Sequence, residues 1–376
     1  MQTTLSPSAH DATVFRIHPE SERIAAPDAA KDSDQIRKRH QTFFNALGPI
    51  APLFEDPNVE EVMINRYDQI FFERRGAIYQ YKEAQLTPAQ LTQAINASAT
   101  AARSTVSLQP KDNTASPLVY SHIGNLRIAA AIKPIAFNGD CMCIRVHRKK
   151  QITMDDIEQS GVLMSLVKPI KQHVPMYRPI GEPTSASIRA YLCELVASGV
   201  TILFAGKPGE GKSTKMNAML GEIPKTKRVL VLEDTHEIEP DVPNRLILVA
   251  NETGQVSLRD LLRFSVRARP DVLVCGEVRD RDADALINAA NSGAQTLATL
   301  HAESAYGALE KLESLAMQAN EGRSSAAVAQ NIGNFIGVVI HMVRDSEGNR
   351  VPHQALRVRG HENGRYITDD IFRSSN

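Results

Sequence analysis

The chain has no tryptophan, and aromatic residues make up only 5% of its 376 positions. Stacking platforms for single-stranded nucleic acid are therefore scarce. Lysine plus arginine equals aspartate plus glutamate at 43 each, so no basic excess exists to hold a polyanion by bulk charge. Together these shortages argue against a nucleic-acid-binding module, and no direct nucleic-acid partner is expected. Four cysteines occur, Cys141, Cys143, Cys193 and Cys275, without a C-x-x-C pair, which argues against a disulfide framework and a structural zinc site. Cys141 and Cys143, two apart on a strand, read as small packing residues. No apolar run reaches the roughly 18 residues that cross a bilayer. The first residues lack the basic start and apolar core of a secretory signal. The expectation is a cytoplasmic protein that meets a membrane only peripherally, through partners.

What is present is a complete phosphate-binding loop. Gly206-Lys207-Pro208-Gly209-Glu210-Gly211-Lys212-Ser213 satisfies G-x-x-x-x-G-K-[ST] without a gap, a pattern that chance would place in roughly one chain of this length in a hundred. The apolar stretch 200–205 reads as a buried strand entering the loop, and 213–220 as a helix leaving it. Glycines let successive backbone N–H groups turn toward phosphate oxygens, and the helix N-terminus adds partial positive charge. Gly206, Pro208, Gly209, Glu210, Gly211, Lys212, Ser213 and Thr214 form the expected nucleotide-binding set. Lys212 would reach the β- and γ-phosphates, and the Ser213 hydroxyl would serve Mg²⁺.

At 376 residues the chain exceeds one typical core and predicts two domains. Residues 1–35, rich in Ser, Ala, Asp and Pro, read as a mobile tail. Residues 36–150 read as a small mixed α/β domain. Its signals are strands either side of a turn at Arg75-Gly76, a helix capped by Thr87 with Gln90 three residues on, a Leu86–Leu91 staple, and strands at 126–132 and 141–147. The proline-bearing segment 151–184 reads as an interdomain linker. From 185 to 376, apolar runs at 200–205, 229–232, 246–249, 271–275 and 296–300 alternate with helical patterns, one of them capped at Ser257 with Asp260 following. They imply an α/β fold with a mainly parallel sheet and flanking helices. A closing hairpin is expected between 337–343 and 350–358.

Triphosphate hydrolysis needs a carboxylate for Mg²⁺, a group that positions water, and cations against developing charge. Polar groups follow three of the apolar runs: Glu233-Asp234-Thr235-His236-Glu237, then Glu277 with Arg279, then His301. Ligands of open α/β sheets sit outside the carboxyl ends of the strands, so the three sets are expected to converge on the loop.

At these residues the sequence resembles a known family. GKPGEGKST, VLEDTHEIEP, RARPDVLVCGEVRD and NSGAQTLATLHAES, in that order, are similar to the motifs of the secretion ATPase superfamily, the traffic ATPases of type II and type IV secretion, conjugation, and pilus extension and retraction. The second half resembles it almost throughout, and the first half more weakly, through LFEDPNVEEVMIN, GNLRIAAAIKP and CMCIRVHRKK. The resemblance implies a RecA-like P-loop domain behind a PAS-like N-terminal domain, assembly as a homo-hexamer, and ATP with Mg²⁺ as ligands. It also implies roles for individual residues. Glu237 orients or activates the attacking water, with Glu233 and Asp234 in support. Glu277 acts on Mg²⁺ directly or through water, so that Ser213 and Glu277 form the metal set. His301 senses the γ-phosphate and Arg279 links that site to neighbouring segments, while Arg127 and Arg145 reach toward a nucleotide across a domain or subunit boundary. Lys212, Glu237, Glu277 and His301 are thus the catalytic candidates.

One departure stands out: many members begin the last motif with Thr-Gly-His, and this chain has Ser292-Gly293-Ala294. That shifts γ-phosphate sensing onto His301, with Gln295 or Thr299 as helpers. The chain lacks a tetracysteine zinc insertion and carries GVVIHMVRDSEGNRV near its end. In the first respect it resembles the shorter members, and in the second the type IV secretion and conjugal-transfer members, the type IVB Dot/Icm-like branch among them; a pilus retraction motor, which has a comparable hairpin, is the alternative. The activity implied is ATP hydrolysis coupled to interdomain motion that powers macromolecular transfer, with inner-membrane secretion or pilus machinery as partners.

Overall fold

The computed structural model describes residues 40–107, 115–147, 153–159, 184–251, 256–319 and 324–374, with residues 180 and 322. The tail expected at 1–35 and most of the linker expected at 151–184 lie outside the described residues; within the linker range Met154–Gln159 forms a short helix.

The first half is a six-stranded antiparallel sheet in the order β3-β2-β1-β6-β5-β4. Its strands are β1 (Val59–Arg66), β2 (Gln69–Arg74), β3 (Ala77–Tyr81), β4 (Leu118–Ile123), β5 (Leu126–Ala131) and β6 (Cys141–Val146). The β2–β3 turn works because Arg75 and Gly76 both hold positive φ, 51° and 76°, as a two-residue hairpin requires. Helix α1 (Pro88–Ala101) opens with the expected reciprocal cap between Thr87 and Gln90. Its buried Leu91, Ala94 and Ile95 join a core with Val62, Ile64, Ile128 and Ile144 of the sheet. Strands β1 and β4 were not among the sequence expectations. In β1 five consecutive residues from Glu61 to Asn65 are buried, so the apolar–polar alternation that marks a half-buried strand is missing.

The second half is an eight-stranded mixed sheet, order β9-β8-β10-β11-β7-β12-β13-β14. Strands β7 (Ile202–Ala205), β8 (Val229–Glu233), β9 (Arg245–Val249), β10 (Val272–Cys275), β11 (Gln295–Leu300) and β12 (Val338–Arg344) run parallel. β13 (Arg350–Glu362) and β14 (Arg365–Arg373) extend the edge antiparallel, so the expected hairpin gains a third strand. The helices are α2 (Ser185–Ala197), α3 (Lys212–Leu220), α4 (Leu258–Ser265), α5 (Asp282–Ala290), α6 (Ala305–Ala319) and α7 (Ser325–Phe335). Helix α4 carries the expected Ser257–Asp260 cap.

The halves are joined by more than the chain. Residues 135–137 run antiparallel along β9, Phe137 N–H donating to Ile247 O at 3.0 Å and Val249 N–H to Ile135 O at 2.8 Å. Arg228, fully buried before β8, donates Nε to Ala268 O (2.9 Å), Nη1 to Asn65 Oδ1 (2.7 Å) and Asn244 Oδ1 (2.6 Å), and Nη2 to Cys143 Sγ (3.3 Å). Arg269 adds a two-pronged bond to Glu73, both contacts at 2.7 Å. Asn65, Cys143 and Glu73 belong to the first half, so a guanidinium of the second half is satisfied by both.

Candidate nucleotide-binding site

Strand β7 enters the phosphate loop and α3 leaves it. Gly206, Gly209 and Gly211 hold φ of 151°, 76° and 81°, a region costly for side chains. Gly211 is the N-cap of α3 and brings no capping side chain, which leaves first-turn N–H groups to an anion. Lys212, buried at the head of α3, turns its ammonium back into the loop. Nζ donates to Gly206 O and Lys207 O, each at 3.0 Å, and to His301 Nδ1 at 2.9 Å. An ammonium can only donate, so Nδ1 accepts and the imidazole proton sits on Nε2. That proton is offered to Glu277 Oε1 at 2.9 Å. Glu277 Oε2 accepts from Arg279 Nη2 at 2.6 Å, and Arg279 Nη1 lies 3.8 Å from Asp234 Oδ2. A chain from Lys212 through His301, Glu277 and Arg279 to Asp234 thus crosses the carboxyl ends of β7, β11, β10 and β8, which are neighbours in the sheet in that order.

Charge follows this arrangement. Burial lowers the pKa of Lys212, and Glu277 and Glu210 pull against it. Burial acts to raise Glu277, but the Arg279 hydrogen bond and the charges of Arg279 and Lys212 hold the carboxyl below its ordinary value. Asp282, at the head of α5, is pushed up to about 6 by burial and then by Asp234.

The acidic segment after β8 divides into two kinds of residue. Glu233, 3% exposed, faces inward: Oε1 accepts the Glu237 N–H at 3.2 Å, and Oε2 accepts the Ile238 N–H and the His236 Nδ1–H, each at 3.3 Å. Burial raises its pKa against those bonds. Glu233 therefore holds the 234–238 turn in shape. Glu237 is exposed on that turn, and its side chain does not join the chain from Lys212 to Asp234. The turn also touches the first half, where the Phe137 ring lies 3.9 Å from that of His236.

Other expected residues fall elsewhere. Arg127 and Arg145 face each other in register on β5 and β6. Arg127 lines a cleft of about 620 Å³ with Tyr120, Asp260, Arg263 and Arg267 between the halves. Arg145 is exposed, opposite Glu61 on β1. The helper role expected of Gln295 is corrected by position: its amide donates to Val196 O (3.0 Å) and Val200 O (3.1 Å) at the far end of β11 from His301. Thr299 Oγ1 donates to Gly276 O at 2.6 Å and steadies the segment bearing Glu277. Ala294 precedes β11 and His301 follows it, a separation of roughly 20 Å along a strand. A histidine at 294 would stand far from the loop, so its loss takes no partner from His301. Two loop contacts were not foreseen from sequence: Arg344 Nη2 donates to Gly209 O at 2.9 Å, and the Arg350 stem covers Gly211.

The expected metal donors, the Ser213 hydroxyl in the first turn of α3 and the Glu277 carboxylate, are hard oxygens of the type Mg²⁺ takes. Among the described residues no helix is long and apolar enough to cross a membrane.

Residues 182–364 match the type II/IV secretion system protein family. The chain is 30% identical over 329 residues to a probable conjugal transfer protein TrbB of Sinorhizobium fredii, spanning 85% of this chain and 90% of that protein. It is 27% identical over 296 residues to the type IV secretion system protein VirB11 of Bartonella henselae, spanning 73% and 81% of the two. Its fold matches the VirB11 ATPase of the Brucella suis type IV secretion system, solved with sulphate, at a TM-score of 0.73 and 24% identity over 86% of this chain and 96% of that one. The similarity runs through both halves as well as the loop, and the chain belongs to the type II/IV secretion system protein family.

Proposed function

We propose that the protein is a Mg²⁺-dependent ATPase that works as a homo-hexamer and couples hydrolysis to motion between its halves, powering type IV secretion or conjugal transfer of macromolecules. The observation that carries this reading is the link from Lys212 through His301 to Glu277 at the phosphate loop. Lys212 binds the β- and γ-phosphates of ATP, and its three protons cannot also keep Gly206 O, Lys207 O and His301 as partners. Phosphate entry takes Lys212 from His301 Nδ1, so His301 registers the γ-phosphate while its Nε2–H holds Glu277. Ser213 and Glu277 would hold Mg²⁺, Glu277 directly or through water, and the bound ion would supply positive charge to the phosphate oxygens. Glu237 orients the attacking water, and Glu233 sets where Glu237 stands. Arg127, Arg145 and Arg279 supply cations from other elements or a neighbouring subunit.

The parallel strands behind the loop support a RecA-like second half, and the antiparallel sheet with α1 supports a PAS-like first half. Relatives named for conjugal transfer and type IV secretion favour that process over pilus retraction. A cytoplasmic location at inner-membrane secretion machinery follows from the same reading. The test is phosphate release from ATP with Mg²⁺. Lys212→Ala should abolish turnover and weaken nucleotide binding, and Glu237→Gln should bind nucleotide but not hydrolyse it. Ordinary turnover in Lys212→Ala overturns the ATPase reading; ordinary turnover in Glu237→Gln overturns only the role of Glu237.

A further inference from the structure

Strand β7 lies between β11 and β12, so the phosphate loop has two flanks. His301 and Glu277 stand on the β11 side. On the other side β12 pairs with β7 as far as His341 opposite Ala205, and then passes Gly206 so closely that a Cβ there would meet Met342 O at 2.7 Å. Two residues on, Arg344 forks: Nη2 donates to Gly209 O at 2.9 Å and Nη1 to Gly348 O at 3.3 Å. Arg350 is its register partner on β13, and directly opposed residues share a sheet face. The Arg350 stem lies over Gly211, where a Cβ would stand 2.9 Å from its Cδ. The turn that joins them is braced, because Asp345 Oδ1 accepts the N–H groups of Glu347 (3.0 Å) and Asn349 (2.8 Å) and Oδ2 accepts the Asn349 amide (3.1 Å).

We propose that Arg344 and Arg350 form a positioning clamp on the phosphate loop, which governs nucleotide affinity from the flank opposite His301. The inference deepens the ATPase reading and rests on it. In a trans peptide the carbonyl and the next N–H point in opposite directions. Drawing the Gly209 carbonyl out toward Arg344 therefore turns the Glu210 N–H inward, where it reaches Lys207 O at 3.3 Å beside the Lys212 ammonium. An inward row of N–H groups is the anion cradle itself. Arg350 keeps Gly211 and the head of α3 in place behind it. Neither arginine belongs to the chain from Lys212 to Asp234, so the clamp acts on binding and leaves bond cleavage to the other flank.

The experiment measures ATP and ADP dissociation constants, KM, kcat and the thermal midpoint for Arg344→Ala, Arg344→Gln and, as control, Arg359→Ala at an exposed position further along β13. Arg344→Ala should weaken ATP and ADP alike by about tenfold and raise KM by a similar factor. Its kcat at saturation should stay within about twofold and its thermal midpoint should not move. Arg344→Gln, which keeps a donor but not the fork, should fall between it and the parent, and Arg359→Ala should match the parent. Unchanged ATP and ADP affinity overturns the clamp, as does a fall in kcat and thermal midpoint together, which would make the hairpin a piece of core. If the alanine variant does not fold, the glutamine variant decides. Lys212→Ala, run alongside, separates the two readings: retained ATP binding there overturns the nucleotide site itself, whereas its loss with Arg344→Ala unaffected overturns only the clamp.

Discussion

Glu61 shows how burial alone can make a carboxylate costly. It is 4% exposed on β1, and burial raises its pKa to about 7 even though Arg145, Arg228 and Arg269 pull it down. The folded protein then holds this proton more tightly than the unfolded chain does. Stability is full below about pH 4.5 and is lost as pH rises toward about 7, by on the order of 3 kcal/mol. Glu61→Gln should match the parent in chemical denaturation at pH 5 and exceed it at pH 8; equal stability at pH 8 would reject this account. For the site residues, Lys212, Glu277 and His301 were legible because covalent spacing puts them at strand ends. The difference between inward Glu233 and outward Glu237 was not, since it depends on which carboxylate the turn's own N–H groups select.

Local signals announced the elements that begin with a cap, because a capping box is closed by residues three apart: Thr87 with Gln90 and Ser257 with Asp260 both appear as read. Buried strands carried no such mark, and β1 and β4 emerged only when paired. Close packing between elements was equally silent. Gly333 of α7 lies on β13, where a Cβ would stand 2.7 Å from Gly360 C and 2.8 Å from His361 N. Both are backbone atoms that cannot swing aside. Gly333→Ala should cost about 1–3 kcal/mol through overpacking and lower the thermal midpoint accordingly; an unchanged midpoint would mean that α7 can shift off β13 freely.

In the whole molecule the two halves share a continuous apolar core with the Arg228 network set in it. Parting them would break the Arg228 bonds to Asn65 and Cys143 and the Arg269 bonds to Glu73, which water must then replace. Ala136 and Leu248 oppose each other between two flanking backbone bonds; such pairs have Cα atoms about 4.5 Å apart, which a disulfide accepts. Oxidation of Ala136→Cys/Leu248→Cys should stop turnover and reduction should restore it, if the halves part in the working cycle. Full turnover in the oxidised protein would show that they work as one body.

The nucleotide loop, the acidic residues after the strands, the parallel sheet and the family motifs are all legible in the amino-acid sequence by itself. Each is a short-range pattern, in which neighbours along the chain dictate backbone geometry or strand-end position. Three features are not: the clamp of Arg344 and Arg350, the joint at Arg228, and the placement of Gln295 away from the loop. These depend on which strand lies beside which. Strand order arises from burying distant apolar surfaces together, and no local spacing encodes that β12 would settle against β7 and carry its arginines to the loop.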